Sequence, residues 1–233
     1  MEVFEVGVTA AGWLVVAYLI GMASLQPAMG KLGDRLGRRP LILGGLVYFG
    51  VVSLGAALAT GFGVLLFFRI HQAIAGALIT PNGRALIREI VPQERRGSRF
   101  GLVSAAISLA AAFGPPLGGM LVYLADWDAI FYVNLVFIVP TLFIGHKVLP
   151  HQKGRSDKTR FDLAGAFLML IVLSGTAGLL IQTRDSEADR LTLVGGIGLV
   201  VLTVFFLRYE LRRPNPVFQP RFFLHRTFAA ANS

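Results

Sequence analysis

Long apolar runs alternate with short polar segments along the whole chain. The runs fall at about 8–29, 41–60, 62–82, 100–122, 129–149, 162–182 and 191–209. Each holds roughly twenty residues, enough for a helix to cross a hydrocarbon layer about 30 Å thick. Isolated strands would leave backbone groups unpaired in lipid, so the runs predict helices. The expected fold is all-α and integral to the membrane, with seven transmembrane helices.

The polar segments differ in character. "GRALIREIVPQERRGSR" and "PHQKGRSDKTR" are basic, whereas "ADWD" and "TRDSEADR" are acidic or mixed. With seven spans, every Lys and Arg except Arg69, Arg184 and Arg190 falls on one side. Asp and Glu divide almost evenly, as a rule of Lys and Arg rather than of net charge expects. The basic side is therefore predicted cytoplasmic. The chain is expected in the cell (inner or plasma) membrane, multi-pass, with its N-terminus outside and its C-terminus inside.

Composition agrees and removes some alternatives. Charged residues make up 15% and hydrophobic residues 55%, with a mean hydropathy of +0.66. A soluble domain carries about 25% charged residues. The formal net charge of +9 reads as the imprint of basic cytoplasmic loops, so no nucleic acid is expected as a partner. Without cysteine, disulfides and thiolate metal sites are excluded. Glu2 and Glu5 stand at the start with no base beside them, unlike a signal peptide.

The first cytoplasmic segment, "GKLGDRLGRRP" at Gly30–Pro40, is dense in glycine and charge. So short a turn needs residues tolerant of positive φ, and Gly33 and Gly37 are the candidates. Pro40 suits the first turn of the next helix. Asp34 and Arg38, four apart, face each other on any helical turn. The spacing of Gly30, Asp34, Arg35, Gly37, Arg38 and Arg39 resembles the loop signature of the major facilitator superfamily, G-x-x-x-D-R-x-G-R-R. The resemblance implies a loop between the family's second and third helices. In that family the loop acts as a cytoplasmic latch between two six-helix lobes and holds the outward-open state.

Three other stretches extend the resemblance. "RIHQAIAGA" is similar to the R-x-x-Q-G-x-G motif of the fourth family helix through Arg69, Gln72 and Gly76, with Ala73 and Ala75 where glycines are usual. "GLVSAAISLAAAFGPPLGG" resembles the antiporter signature of the fifth through Gly101, Gly114, Pro115, Gly118 and Gly119, with Ala110 for a usual glycine. "DWDAIFYVN" is similar to the lead into the sixth through Trp127, Phe131 and Asn134. "PVFQPRFFLHRTFAAAN" resembles the lead into the ninth helix of fourteen-helix drug:proton antiporters. On this reading the spans are family helices two to eight. Residues 1–150 are a partial N-terminal lobe, 151–210 two extra linker helices, and 211–233 a tail leading into the next helix. The acidic first helix is not among the spans. The expectation is therefore a proton-coupled multidrug efflux transporter represented by a fragment inactive alone. The alternative is a non-transporting truncated protein, or a subunit needing a complementary chain. Protons and amphipathic small molecules are the partners that the resemblance implies.

Within the spans, Arg69 is the charge that needs explaining. A central arginine costs at least roughly 2.5–3.5 kcal/mol on insertion scales, so it should face a partner or a cavity. Gln72 and Gly76 follow on the same face, and Gly76 is expected to leave room beside the guanidinium. In the family the matching arginine faces the central cavity and is implicated in proton coupling. The competing reading is a structural arginine bonding backbone carbonyls or snorkelling to an interface. His71 points away from Arg69 and reads as a packing or lipid-facing residue. Gly101, Ser104, Ser108, Ala111, Pro115 and Gly118 form a small-residue stripe suited to close helix approach. Pro115 and Pro116 should bend that helix, and in the family the bend packs against the other lobe and limits leak. Tyr18, Gln26, Tyr48 and Asn134 are candidate cavity residues, although the tyrosines suit interfacial or packing roles. The glycine-rich loop lacks G-x-x-x-x-G-K-[ST], so ATP is not implied. No metal spacing, cofactor motif or nucleophile–base pair stands out, and no enzyme is expected.

Overall fold

The structure is a computed structural model that describes residues 8–151, 154, 162–185 and 190–213. Among the described residues seven helices follow in order: α1 (Val8–Leu36), α2 (Arg38–Ala57), α3 (Phe62–Ile90), α4 (Gln93–Ala125), α5 (Ala129–Val148), α6 (Leu163–Asp185) and α7 (Arg190–Arg212). Six are long and apolar enough to cross a membrane; in α6 the described apolar stretch is Ala164–Leu180. The all-α membrane architecture is as the apolar runs predict.

Several helices outrun their apolar runs. α1 continues through Asp34 and Arg35, α3 through Glu89, and α4 begins at Gln93. Hydropathy reports the thickness of hydrocarbon, not the length of a helix. Polar residues such as Lys, Arg and Glu propagate a helix well into water. The turn between α1 and α2 is therefore one residue, Gly37, whose φ of 94° favours glycine. Gly33 is helical, contrary to the expectation that both glycines serve the turn.

α3 is the centre, with α1 and α2 packed on it; α5 lies on α2, α6 lies on α1, and α7 pairs with α6. Small residues allow the close crossings. A Cβ on Gly45 of α2 would stand 2.8 Å from Ile79 and 3.3 Å from the Ala75 carbonyl on α3. Ala73, Ala75 and Ala77 are fully buried. Tight contact of this kind drives helix association where lipid is as apolar as the side chains. One apolar cluster joins Ile42, Leu46 and Leu86 near the Gly37 end. Another joins Ala56, Ala57, Leu65 and Phe131 near the opposite end.

α4 differs from the rest. It touches α5 and α3, yet none of its residues is buried.

Candidate functional site

Two polar constellations stand out, one at the Gly37 end and one inside the bundle. At the Gly37 end, the Gly37 N–H donates to the Gly33 carbonyl at 2.9 Å. That closes α1 and brings Arg38, in the first turn of α2, over the last turn of α1. One Arg38 guanidinium nitrogen then lies 2.8 Å from Asp34 Oδ1 and 3.0 Å from Glu89 Oε1 on α3. The predicted Asp34–Arg38 pair is thus present, and Glu89 joins it from the far end of another helix.

The rest of the signature divides into separate roles. Arg39 is buried and turns inward, where it donates to the His146 carbonyl at 2.6 Å and meets His151. Cationic donors suit the open carbonyls at a helix C-terminus, so Arg39 ties α2 to the end of α5. Arg35 is exposed in the last turn of α1. Gly30 lies against Pro81. Gly33 is pressed on the Asn82 side chain so closely that a Cβ would overlap Asn82 Oδ1. Asn82 Nδ2 donates to the Met29 carbonyl of α1 at 3.1 Å and to the Leu78 carbonyl of its own helix at 2.7 Å.

Inside the bundle, Arg69 and Gln72 are together, as their spacing predicts. An Arg69 nitrogen donates to Gln72 Oε1 at 3.2 Å. Gln72 Nε2 donates to Ser53 Oγ on α2 at 2.8 Å. Asn134 Nδ2, from α5, donates to the same Ser53 oxygen at 3.3 Å. Gln72 and Ser53 are fully buried. The guanidinium also lies over the Tyr18 ring at 5.6 Å and the Phe131 ring at 5.5 Å. Its Nε is buried with no hydrogen-bond partner among the described residues. Among the described residues, an amide and two aromatic faces hold this arginine.

Other residues settle differently. Gly76 does not make room for the guanidinium directly; it admits Met22 and Tyr18 of α1, whose atoms come within 3.1 Å and 3.4 Å of a Cβ built there. Tyr18 in turn faces Arg69. His71 stacks on Phe67 at 4.0 Å, meets Tyr48 edge-on and contacts the Phe67 carbonyl at 2.8 Å, which are packing contacts. Gly101, Gly114, Pro115, Gly118 and Gly119 are brought to neither constellation. A Cβ on any of the four glycines would meet nothing within 4 Å.

Residues 1–207 match the family model described as the Major Facilitator Superfamily. The chain belongs to the Major Facilitator Superfamily. It is 34% identical over 229 residues to the uncharacterized MFS-type transporter YvkA of Bacillus subtilis, an alignment covering 98% of this chain and 51% of that protein. It is 31% identical to the multidrug transporter protein MdtP of the same organism, covering 97% of the chain and 42% of MdtP. It is 32% identical to the Methylenomycin A resistance protein, also of Bacillus subtilis, covering 94% of the chain and 47% of that protein. The chain spans about half the length of the curated relatives it matches. Membership of this superfamily points to a transporter and not to an enzyme.

Ser53, Glu89 and Asn82 were missed in the sequence. Ser53 had a faint signal, as the lone serine in the largely apolar run of α2. Glu89 and Asn82 had none, because Glu89 meets Arg38 of α2 and Asn82 reaches the Met29 carbonyl of α1.

Proposed function

We propose that the protein carrying this chain is a secondary active transporter that exports amphipathic small molecules in exchange for protons. The observation that carries this reading is Arg69. It is a charge inside a membrane-spanning helix, fixed by Gln72 and two rings, with one buried N–H still available for an acceptor. Intramembrane charges are costly and mark ion or substrate pathways. The names of MdtP and the methylenomycin protein support a drug-like substrate.

On this reading residues 1–150 belong to the first lobe, 151–210 supply linker helices, and 211–233 lead onward. The Gly37 end is cytoplasmic, and Asp34, Arg38 and Glu89 form the latch against a second lobe. The open glycine face of α4, with Pro115, is where that lobe packs and where leak is limited. Coupling follows from the site's own chemistry. A carboxylate reaching Arg69 is held ionised; when it binds a proton the charge-assisted bond weakens, and the helices bearing the two groups are released.

The test is reconstitution of the full protein in liposomes with an imposed pH gradient and a fluorescent cationic dye. Dye movement that follows the sign of the gradient supports antiport. Movement indifferent to the gradient contradicts it.

A further inference from the structure

A third polar cluster lies beside the latch and takes no part in it. Asp162 caps α6: its Oδ1 accepts the Gly165 N–H at 2.9 Å, the usual N-cap bond. The same oxygen accepts the Tyr209 hydroxyl of α7 at 3.1 Å. Arg213 donates to the Tyr209 hydroxyl at 2.7 Å and lies over its ring. Glu210, next to Tyr209, is fully buried. Glu210 Oε1 and Asp162 Oδ2 flank the spot where a Cβ on Gly165 would sit, so glycine is the residue that lets the two carboxylates approach the α6 backbone.

A buried carboxylate needs a cation. Glu210 is fully buried and Asp162 is half-buried with its Oδ2 enclosed, and α1 carries a candidate. Ala28 of α1 packs on Ala166 and Met169 of α6. Lys31, three residues on from Ala28, falls on the same face of α1, the face that packs on α6, and the charges of Glu210 and Asp162 act on it there. Three residues beyond Lys31 stands Asp34, the acid of the latch. Gly154, in the connection from α5 to α6, also sits directly against the backbone of Arg35 and Gly37.

We propose that the α6–α7 hairpin is a brace on the latch, fastened to α1 by a charge clamp of Lys31 against Asp162 and Glu210. The clamp holds the end of α1 that bears Asp34. Lys31, Asp162 and Glu210 are then positioning residues acting through that helix end. This deepens the latch reading above and rests on it, but its test measures no transport.

These 233 residues hold no cysteine, so thiols introduced into the chain report on their own positions. Ala166→Cys, buried in the α1–α6 contact, reports hairpin docking by its rate of maleimide labelling. A spin label at Leu36→Cys, exposed at the end of α1, reports mobility beside the latch. Ala56→Cys, buried between α2 and α3, reports integrity of the lobe. Lys31→Met and Glu210→Gln should each speed labelling at Ala166→Cys by roughly tenfold or more, as expected when a buried charge loses its partner. They should also narrow the Leu36→Cys spectrum and leave Ala56→Cys protected. Lys31→Arg should keep the protection, and the exchange Lys31→Glu with Glu210→Lys should restore it. Unchanged labelling in both single variants overturns the clamp. So does failure of the exchange to restore protection, or simultaneous opening at Ala56→Cys, which would make Lys31 a support of the whole lobe. Faster labelling with an unaltered Leu36→Cys spectrum overturns the brace.

Discussion

Arg38 reaches Glu89 at 3.0 Å across the contact between α2 and α3, with the same nitrogen that holds Asp34 at 2.8 Å. One donor thus joins three helices at the end where Gly37 turns the chain. Both acids are about half exposed, with side-chain exposures of 51% for Asp34 and 42% for Glu89. Each pair is therefore worth at most about 1 kcal/mol to folding. Their value is geometric, and substitutions should alter gating more than abundance.

Arg38→Ala should shift the lobe equilibrium further than Asp34→Asn or Glu89→Gln, because it removes both bonds at once. Protein in the membrane should stay near the wild-type amount. Efflux together with labelling of the outward cavity checks this. Equal effects from Arg38→Ala and Asp34→Asn would show that Glu89 contributes nothing.

Ser53→Ala should loosen the intramembrane network. It leaves Gln72 Nε2 and Asn134 Nδ2 without their shared acceptor. The amide of Gln72 is then free to turn its oxygen away from Arg69. Interhelical hydrogen bonds in membranes average about 0.6 kcal/mol and reach about 1.7 kcal/mol, so a loss of roughly 1–3 kcal/mol is expected for the two. Thermal unfolding in detergent measures it. Unaltered stability would mean that Ser53 is dispensable.

Gly33→Ala should be destabilising by about 1–3 kcal/mol, the usual cost of overpacking, because the new methyl group overlaps Asn82. Combining it with Asn82→Ala should recover part of the loss by clearing the space. Unfolding of the single and double variants decides this. A double variant no better than the sum of its parts would place the strain elsewhere.

How much of this was legible in the sequence depends on distance along the chain. Asp34–Arg38 and Arg69–Gln72 are neighbours within one or two turns, and residue spacing alone pairs them. Arg39 carries the same charge as Arg38 and sits next to it, yet it turns inward to His146 and becomes an anchor. Only the position of α5 makes that so. Ser53, Asn82 and Glu89 act across helix contacts, which hydrophobic periodicity does not encode. Gly33 reads as a turn residue by composition, but it serves close packing, since Gly37 alone turns the chain. The α4 glycines were legible as a small-residue stripe, and no described helix covers them.

Orientation is testable because the chain has no cysteine. Thr60→Cys, exposed between α2 and α3, should react with a membrane-impermeant maleimide added outside intact cells. Ser98→Cys, exposed near the start of α4 on the basic side, should not. The reverse pattern would invert the topology and place the latch outside the cell.

The central claim is that Arg69 couples transport through its fork and not through its charge alone. Its guanidinium donates to Gln72, lies over Tyr18 and Phe131, and keeps one N–H for an acceptor. Lysine is a point charge without that fork. The measurement is pH-gradient-driven dye transport by the reconstituted full protein, wild type against Arg69→Lys. At equal incorporation, Arg69→Lys is predicted to lose gradient-dependent transport by roughly tenfold or more, as expected where planar, two-acceptor recognition is lost. Gradient-driven transport at the wild-type rate in Arg69→Lys would contradict the account.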